Sequence, residues 1–174
     1  MRGRSWHPDP RCPPFASLAL ITVDHHGLDA GPRTGQMVVA ADLADELVLA
    51  FERLWSLGFP IERMEPIDAF DGDDDASMAA NNSSAFNFRT VAGSDLLSQH
   101  AHGVAIDLNP RLNPMITARG IYPPAGAAWL DRADVRPGMI TRPGPVVEVF
   151  AALGWEWGGD WAEVKDYHHF VRPR

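Results

Sequence analysis

Two short stretches carry side chains suited to holding a divalent metal and moving protons beside it: Ser98-Gln-His-Ala-His-Gly-Val-Ala-Ile-Asp107 and Asp166-Tyr-His-His-Phe170. A hydrolytic zinc centre needs three protein ligands, a fourth position open to water, and a carboxylate outside the metal shell to shuttle protons. His100, Asp107 and His169 supply three such ligands, and Asp166 supplies the carboxylate. Six residues separate His100 from Asp107. That spacing suits a turn feeding a strand, whereas a helical zinc motif sets its histidines four apart on one face.

The elements that must position these groups are readable locally. Val104, Ile106 and Leu108 alternate with Ala105, Asp107 and Asn109 after Gly103, which predicts a strand entered through a residue free to take a positive φ. In the second stretch Tyr167, His169 and Val171 share one side of a short strand, while His168 and Phe170 share the other. One of the two adjacent histidines then faces the metal. His169 is preferred, because Asp166 three positions earlier could reach the metal's water; His168 is the alternative ligand.

The pattern Ser-x-His-x-x-Gly-x-Ala-x-Asp followed late by Asp-x-x-His-Phe resembles the zinc D-alanyl-D-alanine carboxypeptidase family, which includes L-alanyl-D-glutamate endopeptidases. Gly35-Gln-Met-Val-Val39, Phe59-Pro-Ile-Glu62, Asn81-Asn-Ser-Ser-Ala-Phe-Asn-Phe-Arg89, Asp107-Leu-Asn-Pro110 and Trp157-Gly-Gly-Asp-Trp161 are similar to further blocks of one branch, so the resemblance spans residues 18–171. It implies Zn2+ as cofactor with His100, Asp107 and His169 as ligands, and Asp166 as general base. By the same resemblance Arg89 steadies the oxyanion, and Ser98 is a substrate-binding or supporting contact. The implied substrate is peptide of bacterial peptidoglycan, and the implied location is extracellular or facing the cell wall. The implied fold is a small α+β domain of the Hedgehog and DD-peptidase kind, with a central, mainly antiparallel sheet flanked by helices. Two positions depart from the pattern: Val171 stands where a polar residue is expected, and His168 where glutamine is common.

The rest of the chain bounds these expectations. A chain of 174 residues with 45% hydrophobic and 22% charged residues fits one soluble domain with a substantial core, expected as a monomer. A net charge of -8 argues against nucleic acid as a partner. The apolar run 15–23 is too short for a membrane span and reads as the first strand, not as a leader peptide. Cys12 is the sole cysteine, lies in a proline-rich segment, and reads as inert.

Residues 1–14 are expected to form a flexible arm, with the peptidase domain spanning 15–174. Leu43, Leu47, Ala50, Phe51 and Leu54 predict a helix over 42–57, and residues 61–67 a short strand. Residues 68–82 form a polar loop whose Asp71, Asp73 and Asp75 mimic a calcium loop, but Ala76 and Asn82 stand where glycine and glutamate are needed. Phe86 and Phe88 alternate with Asn87 and Arg89, which predicts a half-buried strand over 84–91. Residues 109–144 read as a long surface excursion and candidate substrate wall, and 145–153 as a second helix. His25, His26 and His102 lack partners at useful spacing, and Trp155, Trp157 and Trp161 are read as core before sugar platforms. A different functional class, a zinc-bearing binding module without catalysis, is discriminated by Asp166, which such a module does not need.

Overall fold

The computed structural model describes all 174 residues. β1 (Leu18–His26) and β2 (Pro32–Ala40) form an antiparallel hairpin registered from Leu18 opposite Ala40 to His26 opposite Pro32. The period-2 pattern buries Ile21, Val23 and His25 and leaves Leu20, Thr22 and Asp24 outside. A 3-10 turn (Ala41–Leu43) leads into α1 (Ala44–Ser56), whose Leu47, Ala50, Phe51 and Leu54 lie in one core cluster with Ile21, Val23, Met37 and Val39. This is the expected helix.

The next segment differs from its expectation. The strand foreseen over 61–67 is reduced to β3 (Arg63–Met64), which pairs in parallel with β4 (Asn82–Ser83). Between them the acidic run is not a loop: it folds into α2 (Asp74–Ala79). The Asp73 side chain accepts from the Ala76 amide as N-cap, and Asp74 and Asp75 sit in the first turn, where the helix dipole favours negative charge. Residues 84–91 run extended with only isolated bridges, Ser84 to Asp107 and Thr90 to Leu97. Residues 84–87 are buried, the Phe86 amide bonding the Val38 carbonyl and the Asn87 amide the His100 carbonyl, while Thr90 and Val91 are exposed.

β5 (Ala105–Asp107), β6 (Met115–Thr117), β7 (Gly120–Tyr122), α3 (Pro145–Ala151), β8 (Glu156–Trp157), β9 (Lys165–Asp166) and β10 (His169–Val171) complete the chain. One three-stranded sheet has the order β5-β10-β8, and another β7-β6-β9. The architecture is a small α+β domain, but the single central sheet is replaced by four small sheets, three antiparallel and one parallel. Fifteen glycines and fifteen prolines keep most strands to two or three residues. The segment 109–144 is tied to the domain instead of looping freely: β6 pairs with β9, and the Asn113 side chain bonds the carbonyls of Leu108, Asn109 and Gly138.

Residues 1–14, expected to stand off as an arm, lie against the domain. Ser5 is fully buried, its hydroxyl donates to Asp68 and its carbonyl accepts from the Phe88 amide, while Cys12 packs with Val38 and Phe86.

Gly103 joins the hairpin to the site. It adopts φ +69°, its carbonyl accepts from the Ala40 amide, and a Cβ there would stand 2.6 Å from the Ala40 nitrogen. Gly103→Ala is expected to cost at least about 1–2 kcal/mol from backbone conformation alone, read as a lowered thermal midpoint.

Candidate metal centre

The antiparallel register sets His169 directly opposite Asp107, with Phe170 opposite Ile106 in the core. Paired residues project to the same face, so the two side chains meet: His169 Nδ1 lies 3.0 Å from Asp107 Oδ1. His100 comes from the 3-10 turn Gln99–His102, which the Ser98 hydroxyl caps by accepting from the His100 amide and which left-handed Gly103 ends. His100 Nδ1 donates to the Ala85 carbonyl at 2.7 Å, which leaves Nε2 as the free donor atom. That Nε2 stands 3.2 Å from His169 Nδ1 and 3.3 Å from Asp107 Oδ2. All three residues are buried, and their donor atoms lie within 4.8 Å of one another. Separations of 3.0–3.3 Å approach the edge of a tetrahedron with bonds of about 2.0–2.1 Å, about 3.3 Å. The set, two imidazoles and one carboxylate, suits a divalent metal, and three protein ligands leave a tetrahedral position open.

Asp166 is buried next to this triad but outside it. Its Oδ1 is shielded from solvent and has no aligned hydrogen-bond donor. His168 Nε2 faces that oxygen at 3.0 Å, and lies 3.9 Å from Asp107 Oδ2. The second motif is therefore not one continuous strand. Asp166 belongs to β9 and His169 to β10, and the chain bends at Tyr167 and His168. The bend brings both adjacent histidines toward Asp107. Only His169 joins the donor triangle.

The charges in this small volume are strongly coupled. Burial alone would raise the Asp107 carboxyl, yet His100 and His168 hold it well below the usual carboxylate range. Burial would likewise depress both histidines. The Asp107 carboxylate outweighs it at His100, and the Asp166 and Asp107 carboxylates push His168 up to about 10. Two buried carboxylates thus attract positive charge, and a bound metal would compete with these protons.

The remaining expected residues fall into place unequally. Ser98 is 6% exposed and caps the turn that carries His100. Arg89 Nη2 pairs with Asp74 Oδ2 at 2.7 Å, and its Nε is buried without a partner. It is close enough to His100 for its charge to lower the imidazole's proton affinity. Trp155 and Trp157 are core, their Nε1 atoms bonded to Glu46 and to the Tyr167 carbonyl, whereas Trp161 is 37% exposed with its ring centroid 5.3 Å from that of His169. Gly158 closes the wall beside them, since a Cβ there would stand 2.7 Å from the Asp166 carbonyl oxygen.

Sequence reasoning missed Asn113, whose main-chain oxygen accepts from His168 Nδ1 at 2.8 Å while its side-chain oxygen accepts from the Ile140 amide and Arg132. The signal was the repeated Asn-Pro at 109–110 and 113–114, which marks turns, here with buried asparagines. Ser98→Ala is expected to cost about 1 kcal/mol through loss of the cap, measured by chemical denaturation.

No curated protein and no solved structure matches the chain. Residues 92–171 match the family model described as D-alanyl-D-alanine carboxypeptidase. The match is shorter than the 18–171 span of the motif resemblance, but it contains His100, Asp107, Asp166 and His169. Over that segment the chain is similar to the D-alanyl-D-alanine carboxypeptidase family.

Proposed function

We propose that the chain is a zinc metallopeptidase that cleaves peptides of bacterial peptidoglycan, as a D-alanyl-D-alanine carboxypeptidase or an L-alanyl-D-glutamate endopeptidase. The observation that carries this reading is the buried His100–Asp107–His169 triangle with a solvent-shielded carboxylate, Asp166, beside it and outside it. Zn2+ held by the triangle would polarise the scissile carbonyl and bring the pKa of water toward about 7.

Asp166 takes the proton of the attacking water and returns it to the leaving amine, its carboxylate being buried and outside the ligand triangle. Arg89 is assigned to the developing oxyanion, with Asp74 holding its guanidinium in place. Ser98 acts chiefly by fixing His100, so its assignment as a substrate contact is the weaker part of its role. A binding module would have no use for a buried carboxylate beside the triangle that is not one of its ligands, since burying that charge costs stability.

A peptidoglycan substrate implies a location outside the cytoplasm or facing the wall, and the protein is read as a monomer that binds no nucleic acid; no helix is long and apolar enough to cross a membrane. The kinship also points to the Hedgehog and DD-peptidase type of fold.

Elemental analysis of the purified chain is expected to give about one zinc, and Asp107→Ala to abolish it. Asp166→Asn should keep the metal and lose about 10²–10⁴ in kcat on defined muropeptides, with products identified by mass. Arg89→Ala should lower kcat by about 10²–10³. Unchanged hydrolysis in either variant would remove the role given to that residue.

A further inference from the structure

His168 takes no part in the chemistry above, yet it is only 3% exposed and is one of the most constrained side chains near the centre. Its Nδ1 lies 2.8 Å from the main-chain oxygen of Asn113, an atom that can only accept, so the ring is pinned with Nε2 pointing away. Asn113 is itself locked. Its amide donates to the carbonyls of Leu108, Asn109 and Gly138, and its oxygen accepts from Ile140 and Arg132. The His168 carbonyl accepts from the Leu108 amide, one residue beyond Asp107. From this anchored position Nε2 faces Asp166 Oδ1 at 3.0 Å, and that oxygen has no aligned donor. Asp166 meanwhile stays out of the His100–Asp107–His169 donor group.

We infer that His168 is a positioning residue for Asp166, holding its carboxylate beside the metal-binding triangle and preventing it from joining as a fourth protein ligand. A fourth protein ligand would close the position that a hydrolytic centre keeps for water. The contact rests on geometry: Nε2 and Oδ1 stand 3.0 Å apart, within hydrogen-bond reach, with both residues buried. The inference rests on the reading of the triangle as a metal centre.

The test titrates Co2+ into the metal-free full-length chain and records the visible spectrum, which reports coordination number and donor set. Wild type and Asp166→Asn are expected to give the same spectrum. His168→Ala should change it as Asp166 enters the shell, and His168→Ala/Asp166→Asn should restore it. His168→Gln, whose amide still offers a donor, should keep the wild-type spectrum and most of kcat, whereas His168→Ala should lose about 10–100-fold in kcat with KM little changed. His168→Leu, which fills the volume without a donor, is the substitute should the alanine variant fail to fold. A donorless variant with the wild-type spectrum, or a changed spectrum that Asp166→Asn does not reverse, overturns the inference. A wild type that takes up no Co2+ overturns the metal reading itself, and this inference falls with it.

Discussion

Asp107 and His169 face each other across an antiparallel pair, and the rest of the centre depends on that register. Phe170, between Tyr167 at the bend and Val171, is fully buried against Phe150 with ring centroids 4.3 Å apart, and Ile106 opposite it is equally buried. A slip of one residue would turn both from the core and set His168 opposite Asp107. The core therefore selects the ligand. Hydrophobic packing on one face of a three-residue strand pair decides which of two adjacent histidines joins Asp107 and His100 on the other.

The other half of the centre is held by conformation more than by burial. His100 rides on a single 3-10 turn, capped by Ser98 and ended by left-handed Gly103, whose carbonyl is bonded to the end of β2. The Ala85 carbonyl then fixes the imidazole, so the turn, its cap and the tautomer each remove a degree of freedom from His100 Nε2. Such pre-organisation matters because the strands here are too short to be rigid alone. Stiffness comes from polar groups: the buried asparagines 81, 82, 109 and 113 stitch strands, turns and the 109–144 segment together with bonds to main-chain atoms.

The residues that meet in the His100–Asp107–His169 cluster and the two longer helices were legible in the sequence, because each rests on a local pattern: residue spacing around a glycine, or apolar residues at a 3.6 period. Asp166 and His169 were readable as a pair, but the bend between them was not, since alternation over six residues looks the same whether or not the chain changes sheets at Tyr167. α2 was hidden because its signal is the cap at Asp73 and not an apolar face; the same carboxylates that suggest an ion loop are those a helix N-terminus favours. The single-sheet expectation failed on strand length, since two-residue strands have no periodicity to read. The Arg89–Asp74 pair and the role of Asn113 are long-range contacts between segments with no common pattern, so nothing local announces them.

What separates a peptidase from a metal-holding binder in this fold is how the buried charges are left. Three histidines and two carboxylates are buried together, and most of their polar atoms are assigned: His100 to Ala85, His168 to Asn113, and Asp107 between two imidazoles. Asp166 Oδ1 has only His168 Nε2, at 3.0 Å and without aligned geometry, so its burial is under-compensated. Folding could remove that cost by replacing the carboxylate with an apolar group or giving it an amide to bond, as it does for the asparagines nearby. The chain instead keeps an ionisable group shielded from solvent, beside the His100–Asp107–His169 cluster, and sets it against a histidine anchored on a fully bonded asparagine. That is the arrangement on which the proposed base role of Asp166 depends. It suits a group that must exchange a proton repeatedly without moving.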